Sequence, residues 1–410
     1  MKFTVATYGT EGDTRPLAAL CIGLRERGHE VHLLADTATL GSARSAGIPV
    51  TSLSGDIRGA LAPGQALAGA VDGKGGLNQT ARALADIANA SVMDWTREIR
   101  DAAAGSDALI ISGLAAFAGL SVAEALDIPA IGTGLIPISP TRAFASPFLP
   151  AGAIPGPLNR LSHHAVNGLL WRAFRRTTNA ARAQVLALPP RKRLWTDHPM
   201  LYGISPTLLP RPADWPENAW MCGQWELPAP AWTSPSSLER FLAEGEPPIY
   251  IGFGSMAGFD REVLARTMID AVAGRRTLFH PGWSGVDTGR LPDNFFVVGD
   301  VPHAWLFPRV AMAIHHGGSG TSHSATRAGV PSVVVPFAGD QPFWAAQLHR
   351  LGVADRPLNG RRLEARALQR AIAFADRADT RTRAEDLGRR MAAEDGTAVA
   401  VAAIEQLLST

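Results

Sequence analysis

Residues 311 to 353 constrain the fold most tightly. Four apolar residues, Ala311 to Ile314, run into His315-His316-Gly317-Gly318-Ser319-Gly320-Thr321. Thr321-Ser322 open a helix that stops at Gly329, and a second apolar run extends from Pro331 to Phe337. Strand, glycine turn, helix and strand make a parallel βαβ unit, which needs helices covering the sheet. The same unit is an anion site. Its glycines let backbone N–H groups come close to a diphosphate, and the helix N-terminus adds about half a unit of positive charge. The second run delivers Asp340-Gln341, a carboxylate beside an amide, a pair suited to sugar hydroxyls.

The alternation recurs on both sides of one composition shift. A strand from Phe3 to Ala6, a helix from about Arg15 to Arg27 and a strand from Glu30 to Ala35 open the chain. Further strands are expected at Ala108 to Ser112 and Ala130 to Thr133, with the polar, Gly-rich stretch Gly59 to Asn78 read as a long mobile loop. Pro228, Pro230 and Pro235 then interrupt the pattern. It restarts with a strand from Ile249 to Phe253, a helix from Arg261 to Ala273, and strands at Thr277 to His280 and Phe295 to Val298. A chain of 410 residues exceeds what one core usually supports. The expectation is α/β: two facing Rossmann-like domains, 1–226 and 241–395, joined by a linker 227–240, with the active site in the cleft between them and a last helix within 396–410.

A net charge of +2 with 19% charged residues excludes nucleic acid as the main partner. Two cysteines, Cys21 and Cys222, lie far apart without metal-ligand spacing, which points to a reducing compartment. Met1 to Thr7 reads as a first strand rather than a secretory segment, and no run of about 18 apolar residues exists to span a bilayer, so a cytoplasmic protein is expected. There is no Asp-x-Asp pair and no Cys/His cluster, so no metal or other cofactor is expected.

His315 to Thr321 with Asp340-Gln341, Gly9-Thr10-Glu11-Gly12-Asp13-Thr14-Arg15-Pro16, Ser205 to Pro212 and Gly252-Phe253-Gly254-Ser255-Met256 together resemble the family 1 glycosyltransferases. The resemblance is to the bacterial branch that includes vancomycin-type antibiotic glycosyltransferases and sterol glucosyltransferases, and it covers essentially the whole length. It implies a GT-B fold whose last helix crosses back to the first domain. It also implies inverting, metal-independent transfer of a hexose from a UDP-glucose-like or dTDP-sugar donor to a hydroxyl of an apolar acceptor.

The resemblance puts Asp13 at the base position, where many plant relatives carry a histidine. A carboxylate in a desolvated cleft suits that work. The alternative is that Asp13 only N-caps a helix starting near Arg15. The family pattern gives the leaving diphosphate to His315 rather than His316, which strand alternation sends the other way. Gly317, Gly318, Ser319, Gly320 and Thr321 complete that grip. Ser255 is a phosphate contact or a plain turn serine. Trp283 and Val301 match positions that contact the nucleotide base, with core packing the other reading for Trp283. Asp340 and Gln341 are assigned to the sugar. Phe144 and Phe148, in the proline-rich segment 137–157, either line the acceptor pocket or pack a surface loop onto the domain. Plant relatives place a ribose-holding glutamate where this chain has His323, which leaves a thymidine-diphosphate donor open.

The stretch Leu158 to Leu188 mixes leucines and aromatics with five arginines. It is read either as a solvated helix with its apolar face in the core or as weak peripheral membrane contact. A nicotinamide oxidoreductase needs Gly-x-Gly-x-x-Gly, and here Ala257 stands where the third glycine would fall after Gly252 and Gly254. A nucleotide-sugar epimerase would leave the segment of Phe144 and Phe148 without an acceptor, and the intact Asp13 and Asp340-Gln341 argue against a non-catalytic sugar-nucleotide-binding partner protein. Product analysis with and without acceptor separates them.

Overall fold

A computed structural model describes residues 1–60, 76–228, 232–254, 256 and 260–409, the side chains of 76–84 excepted. Residues 61–75 of the expected loop lie outside the described residues, and its end is helical, since a helix runs over Gly76–Ala103.

Two parallel sheets organise the chain. The first has the order β3-β2-β1-β4-β5-β6-β7. Its strands are β1 (Lys2–Ala6), β2 (Glu30–Asp36), β3 (Val50–Leu53), β4 (Ala108–Ile111), β5 (Ala130–Gly134), β6 (Met200–Tyr202) and β7 (Ala219–Met221). The second has the order β10-β9-β8-β11-β12. It comprises β8 (Ile249–Gly252), β9 (Thr277–His280), β10 (Phe295–Val297), β11 (Met312–His315) and β12 (Ser332–Val334). Parallel sheets bury both faces, so their central strands read as continuous apolar runs. β4, β8 and β11 are buried at every residue. β12 stops at Val334, short of the expected Phe337: Pro336 has no N–H to give a ladder, and the Phe337 N–H is turned to the Gln341 side chain.

The first helix, Glu11–Glu26, begins four residues before the expected Arg15, with Thr10 as its N-cap. Leu17, Leu20, Cys21 and Leu24 on its inner face share a core with Ala400, Val401, Ala403 and Ile404 of the last helix, Gly396–Leu408. That helix therefore packs on the first sheet's side of the molecule. Arg27 and His29 both reach Glu405, at 2.9 and 3.1 Å. A further core joins the two halves, packing Tyr202, Ile204 and Trp215 with Val334, Phe343, Trp344 and Leu348.

The joint at the start of the last helix has no room for a side chain. A Cβ on Gly396 would come within 2.4 Å of the Gly223 carbonyl carbon and the Gln224 oxygen, both backbone atoms. The Gly396 carbonyl also accepts from the Trp225 indole at 3.1 Å. Gly396→Val is expected to destabilise the protein by about 1–3 kcal/mol, the usual cost of overpacking. Denaturant unfolding checks this, and an unchanged midpoint would refute the close approach.

Candidate active site

The second sheet changes direction at β8 and β11, with β9 and β12 on their outer sides, and ligands of open parallel sheets collect at such a point. Three turns meet there. Gly254 (φ +59°) follows β8, Gly282 (φ +49°) follows β9 and Gly317 (φ +87°) follows β11. All three occupy the left-handed region that favours glycine. A Cβ on Gly282 would lie 2.2 Å from the Gly254 carbonyl oxygen. The Trp283 backbone N–H donates to that oxygen at 3.1 Å, which ties the backbone of this half-buried residue to the turn after β8. Val301 is half-buried against the core of Leu238, Tyr250 and Phe307. Ser255 lies outside the described residues.

His315 ends β11 and is fully buried. Its Nδ1 accepts from the Gly317 N–H at 3.1 Å, so the proton of the neutral ring sits on Nε2. That Nε2 is buried and has no partner among the described residues. Burial, with smaller contributions from His316 and His303, holds the ring's pKa down at about 3. A neutral donor at the head of a glycine turn is left for a ligand oxygen to satisfy.

His316 does not turn away from the turns, as strand alternation suggested. Its ring lies between Gly254 and Gly318, where an added Cβ would approach it to 3.1 and 2.5 Å. The helix after the turn is Ser319–Arg327, two residues earlier than expected, with Gly318 at its N-cap. Ser319, Gly320 and Thr321 are thus its first three residues, whose amides have no carbonyl to bond within the helix.

The sugar-side pair behaves differently from its residue types. The Asp340 carboxylate accepts from Trp344 Nε1 at 2.7 Å. Burial pushes its pKa up to about 6, and the charge of Asp13, from the first half of the chain, adds a smaller rise. Gln341 is buried, and its Oε1 accepts from the Phe337 and Ala338 N–H groups at 2.8 and 3.1 Å. Its Nε2 lies 3.3 Å from Met256 Sδ. The Gln341 amide oxygen thus closes the loop that presents Asp340.

Asp13 is the third residue of its helix, not the N-cap. Its Oδ2 accepts from Thr10 N–H at 2.7 Å and Thr10 Oγ1 at 3.2 Å, a capping box that leaves Oδ1 outside both bonds. Burial raises its pKa, against the lowering effect of Thr10. Charges on the same helical turn act across the two halves: His303 is depressed chiefly by burial and further by Arg15, and Glu11 is raised chiefly by burial and slightly by Asp300. Thr10, Trp344, Arg15 and His303 were absent from the expected set. Thr10-x-x-Asp13 is legible as a capping box, and Asp340 with Trp344 as an i, i+4 helical pair.

Phe144 packs against Phe343 of the second half at 5.2 Å and against His163 at 5.8 Å between ring centroids, so it serves a contact between the halves. Phe148 is half-buried. His323 is buried, donates from Nδ1 to the Ser319 carbonyl at 2.7 Å and accepts at Nε2 from the Ser205 N–H at 3.1 Å. Both ring nitrogens are committed to protein, so this position is not a ribose contact.

His303 and His315 are held near pKa 3, and His316 and His323 near 4, each chiefly by burial, against 6.5 in a free chain. The unfolded chain then binds protons that the fold refuses. Stability is complete above about pH 6.5 and falls as pH drops towards 4, by up to about 1.4 kcal/mol per group and pH unit. The unfolding midpoint is expected to fall between pH 7.5 and 5; a flat profile would refute neutral burial.

An erythromycin biosynthesis protein CIII-like C-terminal domain family matches residues 275–407. An O-mycaminosyltylonolide 6-deoxyallosyltransferase of Streptomyces fradiae is 34% identical over 100% of this chain and 98% of its own length. Sterol 3-beta-glucosyltransferases of Cryptococcus neoformans var. neoformans and Komagataella phaffii are 33% and 32% identical over 98% and 99% of the chain. The chain spans only 27% and 34% of their lengths. Among solved structures, the glycosyltransferase VinC in complex with dTDP superposes with a TM-score of 0.71 at 18% identity, covering 100% of both chains. The glycotransferase of kitacinnamycin gives 0.70 at 20% identity, covering 99% of this chain and 98% of that one. At such identities these two establish the fold alone.

Proposed function

The chain belongs to the family 1 glycosyltransferases, with two parallel-sheet α/β domains of the GT-B type, and from that membership we propose that it moves a hexose from a nucleotide-diphosphate sugar to a hydroxyl of an apolar small molecule such as a polyketide, terpenoid or sterol. The carrying observation is the buried His315 at the head of the glycine turn, its Nδ1 engaged by the Gly317 N–H and its Nε2 left without a partner among the described residues, with the buried Asp13 and Asp340 within each other's electrostatic influence. The acceptor oxygen forms its bond to the anomeric carbon as the carbon–oxygen bond to the diphosphate breaks. The hydroxyl proton passes to Asp13, whose Thr10 bonds hold Oδ2 and leave Oδ1 to meet it. The departing diphosphate takes hydrogen bonds from His315 Nε2 and from the free amides of Ser319 to Thr321, which stabilise charge as it develops without a metal. Asp340 orients sugar hydroxyls, with Trp344 fixing the carboxylate. Attack from the face opposite the leaving group inverts the anomeric configuration.

Titration of the purified chain with UDP and dTDP tests the donor half, in the presence of a chelator. Incubation of UDP-glucose or a dTDP-sugar with an apolar alcohol tests the transfer. Binding with a β-linked product supports the reading. An altered sugar nucleotide formed without acceptor points to epimerisation, and binding without any product to a non-catalytic role; both overturn it.

A further inference from the structure

We infer that the outer face of the helix Asn159–Leu186, with the loop before it, docks on an anionic phospholipid bilayer surface, and that this is how the apolar acceptor of the proposed reaction reaches the first domain. The helix's inner face is spent on the core through Val166, Trp171, Phe174 and Ala181. Its outer face leaves Leu161 at 61% and Leu169 at 43% exposure, and Leu158, immediately before it, is 47% exposed; these are three of the seven large apolar side chains exposed among the described residues. A spacing of eight residues places Leu161 and Leu169 along one side of the helix.

The charges on that face have one sign. The 28-residue helix contains no Asp or Glu. Arg160, His164, Arg172, Arg175 and Arg176 are all exposed. Arg182 is excluded from the face, since it is buried and paired with Glu124 at 2.8 Å. The preceding stretch, Pro150 to Leu158, carries no charge and is exposed at every position except the half-buried Ile154. A soluble polyanion would meet the arginines but leave the leucines and the uncharged loop in water. A bilayer interface takes both, with leucines entering the acyl boundary and arginines at the headgroups. No helix among the described residues is long and apolar enough to cross a membrane, so the contact is peripheral.

Co-sedimentation of the full chain with vesicles of phosphatidylcholine, with and without phosphatidylglycerol, tests the inference. Binding is expected only to the anionic vesicles, and to be lost in high salt. Arg172→Glu with Arg175→Glu and Arg176→Glu should weaken it on the order of a hundredfold, at about tenfold or less per headgroup contact. Leu161→Asp with Leu169→Asp should weaken it about tenfold or more. Both variants should keep the parent's thermal unfolding and its transfer to a water-soluble acceptor, so failure of the transferase reading is seen separately. Absence of binding to anionic vesicles, equal binding to neutral ones, or binding unaltered in both variants overturns the inference. Retention on heparin without vesicle binding does so too.

Discussion

Asp13→Asn is expected to lower transfer by about 10²- to 10⁴-fold while leaving nucleotide binding unchanged, the range that loss of a positioned general base produces. The substitution is nearly isosteric. An amide oxygen at the Oδ2 position still accepts from the Thr10 N–H, so the capping box and the start of the helix survive. What disappears is the lone pair that takes the acceptor's proton. Because burial raises the Asp13 pKa and the base must be ionised, the parent's rate should fall on the acid side at a higher pH than for an ordinary aspartate. Asn-variant turnover equal to the parent's would remove Asp13 from the chemistry and leave it a helix cap.

His315→Ala should weaken nucleotide-diphosphate binding and slow transfer together, the latter by about 10²- to 10³-fold, as loss of one preorganised donor to a developing anion does. Alanine also deprives the Gly317 N–H of its acceptor, so a loosened turn gives the same direction of effect. His315→Asn separates the two. Its side-chain oxygen can accept from Gly317, while nothing replaces the unpartnered Nε2–H. Asn is expected to lose nearly as much as Ala. Parent-like kinetics in Asn would mean that His315 serves only the turn.

The elements that sequence located and those it missed differ in one respect. β1, β4, β8 and β11 are central, buried on both faces, and betray themselves as apolar runs. β3, β6 and β7 are three or four residues long and lie towards the edges of the first sheet; they exist because a neighbouring strand offers its ladder. Nothing in Met200-Leu201-Tyr202 by itself distinguishes it from a loop. The first helix starts earlier than Arg15 because Thr10 and Asp13 cap it, and Pro16 sits inside it.

The sequence by itself determined the α/β alternation, the glycine turn after β11 and the identity of the acids and the histidine around it, because those depend on local spacing and on which residues tolerate a left-handed turn. Tertiary structure alone decided how each side chain is engaged. It turned Gln341 onto its own loop, His323 onto Ser205 and Phe144 onto Phe343, and it buried Asp340 within the electrostatic influence of Asp13. A hydrogen bond or a shifted pKa depends on which groups the fold brings within a few ångströms and how much water it removes. For His323, Phe144 and Asp340 those partners lie far along the chain, where no local pattern records them.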